Sequence, residues 1–146
     1  MSAAPTTKPP ATVAMVKEEE AKGRVAEIFE DIKRTKDVPV VSHFWRTLAN
    51  YPPLLEETWQ RVKTIMGPGR LDPLTKEMIA LAVSITNGCE YCTYSHTTAV
   101  KKLGLDDAGL GELMAVVALF NSTNALADGY RIQPDIFPPT DSAPAE

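Results

Sequence analysis

The chain has 146 residues, 44% hydrophobic and 23% charged, with a formal net charge of −4. That length suits one domain able to bury a core without staples, and the weak acidic balance gives no electrostatic case for nucleic acid or an anionic membrane. No uninterrupted apolar run approaches the roughly 18 residues of a membrane span, and the Ala/Pro/Thr-rich start lacks the basic and apolar segments of a signal peptide, so a cytoplasmic protein with no membrane partner is expected.

Residues 1–16 carry Pro5, Pro9 and Pro10 and few large apolar side chains, which predicts a flexible tail. Val25, Ile28, Phe29 and Ile32 recur at threes and fours and predict a helix over 18–36. The β-branched run 38–41 is interrupted by Pro39 and is too short for a central strand. Ser42 is placed to cap a short helix over 43–49, which Tyr51-Pro52-Pro53 ends. One of those prolines suits the first turn of the next helix, which runs to about 66 with Leu54, Leu55, Trp59, Val62 and Ile65 apolar. Gly67-Pro68-Gly69 stops it.

Asp72 is a good N-cap, with Pro73 just inside. The helix that follows carries Leu74, Met78, Ile79, Leu81, Ala82 and Ile85, a density that predicts a central, well-buried position. Asn87-Gly88 stops it. A further helix begins at Cys89 and runs to about 102, closed by Gly104. Asp106 or Asp107 caps a last helix, 108 to about 127, whose run from Val116 to Phe120 reads as core or oligomer interface. Residues 133–146, with Pro134, Pro138, Pro139 and Pro144, form a second tail, in which Ile136 and Phe137 are expected to dock on the surface. The expected architecture is all-α, a compact bundle of about six helices in a single domain over 17–132.

Cys89 and Cys92 are the only two cysteines, and His96 is one of two histidines. Thiols at this spacing close into a disulfide or share a metal, and in a reducing compartment such a pair is more often catalytic or metal-binding than structural. Cys89 lies at a helix start, where unpaired N–H groups and the positive end of the helix dipole favour a thiolate. Cys92 and His96 follow on the same face, and His96 can take a proton from Cys92 or return one to a leaving group. Glu77 belongs to the preceding helix. If the two helices pack antiparallel about Asn87-Gly88, Glu77 sits ~15 Å from the turn, at a depth comparable to that of His96, and can pair with it. Zinc is the rival use: Cys89, Cys92 and His96 with either Glu77 or His43 make four ligands, but the common pattern uses a second, distant pair that this sequence lacks. A redox-inert buried pair is the structural alternative. Tyr91 and Tyr94 can hydrogen-bond near the sulfurs or pack at a helix or subunit contact.

Glu77, eleven intervening residues, then Cys89-x-x-Cys92-x-x-x-His96 resembles the alkyl hydroperoxidase D-like (carboxymuconolactone decarboxylase-like) family. So do the stretches TLANYPPLLEETWQ and GRLDPLTKEMIALAVSITNGCEYCTYSHTTAVKKLGL, and the resemblance covers about residues 45–130. It implies an all-helical homo-oligomer with a dithiol site that reduces hydroperoxides or disulfides. Electrons would come from an external thiol or dithiol, with no cofactor and no metal. By position it implies that Cys92 attacks the peroxide, that Cys89 resolves it and exchanges electrons, and that Glu77 and His96 relay protons. Well-studied members resemble this motif but carry a histidine immediately before the second cysteine, where this chain has Tyr91. Tyrosine is not a base near neutral pH, which implies a simpler relay or a weaker peroxidase. The expected function is a thiol-dependent antioxidant peroxidase. The alternatives are a non-redox lyase or isomerase of the carboxymuconolactone decarboxylase type, and a zinc-binding or structural helical oligomer.

Overall fold

The computed structural model of the chain describes residues 11–138. Among them are six α-helices, a single 3-10 turn at Glu18–Glu20 and no strand. The helices are α1 (Gly23–Lys36), α2 (His43–Leu48), α3 (Pro52–Met66), α4 (Pro73–Thr86), α5 (Glu90–Lys102) and α6 (Asp107–Gly129). The all-α expectation is met. The chain gathers into two compact units, Met1–Gly67 and Pro68–Glu146, where the sequence suggested one domain over 17–132. The boundary falls within Gly67-Pro68-Gly69, which in the sequence reads only as a helix stop.

In the first unit α3 packs on both α1 and α2. The core joins Ile28, Phe29 and Ile32 of α1 to Val41, Trp45, Ala49, Leu55 and Trp59. The apolar stripe of α1 therefore faces inward as its spacing predicts. Residues 38–41 form no strand; instead Val41 is buried at 1% exposure, and its N–H donates to the Glu18 carboxylate at 2.8 Å. Prolines open α3, where the N–H they lack would have had no partner in the helix. Ser42 occupies the N-cap of α2, but its side chain makes no capping bond.

Trp45 and Trp59 meet edge to face with ring centroids 5.3 Å apart. The Trp59 indole N–H donates to Asp31 Oδ2 at 2.8 Å, so its polar tip is satisfied inside the unit. Lys63 Nζ donates to the same oxygen at 2.7 Å, and Arg34 pairs with Oδ1.

Residues 1–10 and 139–146 of the two expected tails lie outside the described residues. The chain is already tied to α2 by Ala14, whose carbonyl accepts from Asn50 Nδ2 at 2.7 Å. Val16 and Arg46 exchange two hydrogen bonds, at 3.1 and 3.0 Å, and Val16 packs against the core. Beyond α6, Ile136 and Phe137 are 87% and 74% exposed, so the docking expected of them is not made within this chain.

In the second unit α4 packs on both α5 and α6. Asp72 caps α4, its Oδ1 accepting from the Thr75 N–H at 3.0 Å. Burial is thin: Leu81, Val100 and Val117, one from each helix, with Ser84 the buried polar residue. The deep burial expected of α4 is not found. Ile79 and Val83 are exposed, because at 100° per residue they lie on the face opposite Leu81 and Ser84. Likewise α6 buries only Val117, and Val116, Leu119, Phe120 and Leu126 are exposed, which overturns the core reading of that run. α6 is also long and apolar enough to cross a membrane by length and composition. A search for unbroken apolar runs misses it because Glu112 and Asn121 interrupt the sequence.

The Lys63 and Trp59 hydrogen bonds, aided by nearby Arg34, hold the Asp31 carboxyl at about 2 against the opposing pull of burial. The folded value lies below the unfolded one, so this stabilisation is complete above about pH 4 and fades as the pH falls toward 2. Asp31→Asn is expected to cost about 1–2 kcal/mol at pH 7, allowing for solvent screening, and little at pH 2. Urea unfolding at the two pH values measures the difference.

Candidate active site

Asn87, Gly88 and Cys89 connect α4 to α5. Gly88 lies in the left-handed region at φ +67°, which glycine enters without a steric penalty. Its N–H donates to the Ile85 carbonyl at 3.1 Å, and the Cys89 N–H donates to the Ser84 carbonyl at 2.9 Å. These two bonds are a Schellman closure, and they satisfy carbonyls that the end of α4 would otherwise leave unpaired. Cys89 is at the same time the N-cap of α5. Its carbonyl accepts from the Thr93 N–H at 2.9 Å, and its Sγ accepts from the Cys92 N–H at 3.3 Å.

Cys92 lies one turn into α5, joined to Cys89 by a disulfide with the Cα atoms 5.3 Å apart. Both cysteines are half-buried. His96 follows one turn later, its Nδ1 2.6 Å from Glu77 Oε2 of α4. In the neutral imidazole facing an ionised Glu77, which can only accept, the proton sits on Nδ1 and the lone pair on Nε2. The pair is largely shielded, with side-chain exposures of 30% for His96 and 18% for Glu77.

The structure thus places both pairs, Cys89–Cys92 and Glu77–His96, in the second unit, on α4, α5 and the turn between them. His43 is elsewhere: it opens α2 in the first unit and is exposed. Among the described residues no three His, Cys, Asp or Glu side chains converge to hold a metal ion. Tyr91 and Tyr94 are exposed and take no part in the unit's core. Sequence reasoning misses Ser84, whose carbonyl holds the Cys89 amide while its hydroxyl donates to the Ala80 carbonyl at 2.7 Å. The signal that finds it is its position five residues before a cysteine that follows a helix-stopping glycine. Chemically, the arrangement can take two electrons at the disulfide, hold charge on one sulfur against a backbone amide, and accept a proton at His96 Nε2.

The family model described as the carboxymuconolactone decarboxylase family matches residues 53–132, a span that contains all four residues. The structure is similar to the crystal structure of the alkylhydroperoxidase AhpD core from Rhodospirillum rubrum. The two share 44% identity with a TM-score of 0.82, covering 86% of this chain and 94% of that one. A curated relative is (R)-2-haloacid dehalogenase from Pseudomonas putida, 24% identical over 106 residues. That match takes in 73% of this chain but 35% of the relative, so the chain spans about a third of that protein's length. On the family match and the 44% identity, the chain belongs to the carboxymuconolactone decarboxylase family, as an alkylhydroperoxidase D-like member.

Proposed function

We propose that the chain is a thiol-dependent peroxidase that takes hydroperoxides as substrate and an external thiol or dithiol as reductant. The observation that carries this reading is the Cys89–Cys92 disulfide at the start of α5, held in one unit with the Glu77–His96 pair. The likeness to an alkylhydroperoxidase core supports the choice of substrate.

In the reduced enzyme, His96 Nε2 takes the Cys92 proton and Glu77 steadies the resulting imidazolium. The Cys92 thiolate attacks the terminal peroxide oxygen. The O–O bond breaks, the alcohol leaves with a proton from His96, and Cys92 becomes a sulfenic acid. Cys89 then displaces the hydroxyl from that sulfur, forming the disulfide and releasing water. An external dithiol returns two electrons and two protons by exchange and is itself oxidised to a disulfide. His96 is the proton carrier in this scheme. A pair that must be re-reduced every turnover suits a reducing compartment such as the cytoplasm.

The second unit's exposed apolar residues bear on assembly. Ile79 and Val83 of α4 and Val116, Leu119 and Phe120 of α6 leave a large apolar area uncovered, of the kind that marks a protein contact. We infer that copies of this chain associate through it, which also accounts for α6 without a membrane.

Mass spectrometry of the reduced protein after one equivalent of organic hydroperoxide should show two thiols lost to one intramolecular disulfide. Cys89→Ser should stop at a sulfenic acid on Cys92, and Cys92→Ser should abolish turnover. Both thiols remaining free would sink the peroxidase reading and favour non-redox chemistry. His96→Ala should lower peroxide turnover by about 10²–10⁴-fold, with Glu77→Gln intermediate, in stopped-flow assays. Leu119→Glu combined with Phe120→Glu should shift sedimentation velocity toward the single chain; an unchanged profile would remove α6 from the interface.

A further inference from the structure

We propose that Gly88 is a positioning residue for the dithiol: it holds Cys89 as the shared cap of two helices, so that when the reduced pair loses a proton the charge rests on Cys89 Sγ. The proposal rests on the redox reading above and goes beyond it by assigning the charge and naming the residue that controls it.

The geometry is particular to this helix end only in one respect. α5 closes in the same way, with Gly104 at φ +98°, its N–H donating to the Lys101 carbonyl and the Leu105 N–H to the Val100 carbonyl, both at 3.0 Å. α6 closes likewise around Arg131, with the Ile132 N–H donating to the Ala127 carbonyl at 3.0 Å. What sets the end of α4 apart is its final capping residue, a cysteine that at once begins another helix. The Cys89 amide is pinned backward to Ser84, and its sulfur is pinned forward to the Cys92 N–H. That N–H belongs to the unpaired set at the α5 N-terminus, where negative charge is favoured.

Gly88 acts through its backbone angle. A Cβ placed there would meet no atom within 4 Å, so space does not demand glycine. A β-carbon at φ +67° is disfavoured; Asp37 and Arg131 bear that cost at φ +50° and +52°, and at position 88 we propose that it is relieved by a turn of the peptide. That motion carries the Cys89 amide away from Ser84 and the sulfur away from the Cys92 amide. Asparagine, which tolerates the left-handed region, should leave both bonds in place.

The chemistry balances simply. An external dithiol delivers two electrons and two protons to the S–S bond, which breaks to give two thiols, while the dithiol becomes a disulfide. Loss of one proton then leaves a thiolate on Cys89 and a thiol on Cys92. In the peroxide cycle the Cys92 thiol gives its own proton to His96 only as it attacks the peroxide; the Cys89 thiolate then displaces hydroxide from the Cys92 sulfenic acid, and the hydroxide takes up a proton equivalent to the one Cys89 lost and leaves as water.

The test is a redox titration of the full chain in mixtures of reduced and oxidised dithiothreitol, with the disulfide fraction read by alkylation and mass spectrometry. Gly88→Ala should favour the disulfide by about two- to fivefold, because the reduced pair loses its charge-stabilising donor. Gly88→Asn and Gly104→Ala should titrate with the wild type, although Gly104→Ala strains an equivalent helix end. A wild-type midpoint for Gly88→Ala, or an equal shift in Gly104→Ala, overturns the proposal. A second measurement needs no change at Gly88: the pH dependence of iodoacetamide labelling of Cys89 in Cys92→Ser, and of Cys92 in Cys89→Ser. Cys89 should reach half its limiting rate at the lower pH, and an equal or reversed order overturns the assignment. Neither measurement contains peroxide. A protein that passes both yet leaves hydroperoxides untouched fails the peroxidase reading alone.

Discussion

The hydrogen bond from the Cys89 amide to the Ser84 carbonyl turns the chain out of α4 and into α5, and the second unit's chemistry depends on that turn. Once the reversal is fixed, α4 and α5 lie against each other as the most extensive helix pair in the chain. Glu77 and His96, 19 residues apart in sequence, then meet at 2.6 Å. A slip of one residue at the turn would rotate α5 by about 100° and carry His96 off the face that Glu77 reaches. Cys92 would turn with it, because Cys92 and His96 share one face of α5. The Cys89–Cys92 pair and the Glu77–His96 pair are therefore indexed to each other by the backbone bonds of this turn.

The two units differ in how much they bury. The first closes over two tryptophans, a phenylalanine and five aliphatic residues, each large side chain contributing about 1.5–3 kcal/mol. The second buries one apolar residue per helix, and its remaining apolar residues face outward on α4 and α6. Self-association would cover the exposed face and stiffen the helix on which Glu77 is carried.

Much of this was legible in the residues. Pro52, Asp72, Gly67, Gly88 and Gly104 mark helix ends because each has a backbone chemistry that only certain positions accept, and the observed ends fall beside them. Glu77 and His96 could be paired by counting rise along two antiparallel helices, since that depth does not depend on side-chain detail. The burial of α4 was not legible, because an apolar helix face bound for a core and one bound for a subunit contact have the same composition. Val41 was hidden for a related reason: its run is too short to show a period, yet one β-branched side chain suffices to fill a gap. Ser84 leaves no trace because it acts through a carbonyl that every residue possesses.

Both indole rings of the chain, Trp45 and Trp59, lie in the core of the first unit. The unit that carries the dithiol has no indole; its phenol rings, Tyr91, Tyr94 and Tyr130, are all exposed. Indole emission from this protein consequently comes from the first unit alone, while three of its four phenols lie in the second, the fourth being Tyr51. The red-shifted indole band follows the packing of the first unit, and Tyr91 and Tyr94, flanking Cys92, place the shorter-wavelength phenol band beside the sulfurs. A fluorimeter can thus follow the packing of the first unit through its indoles, and with Tyr51 replaced by Phe the phenol band would report the second unit, without an added label.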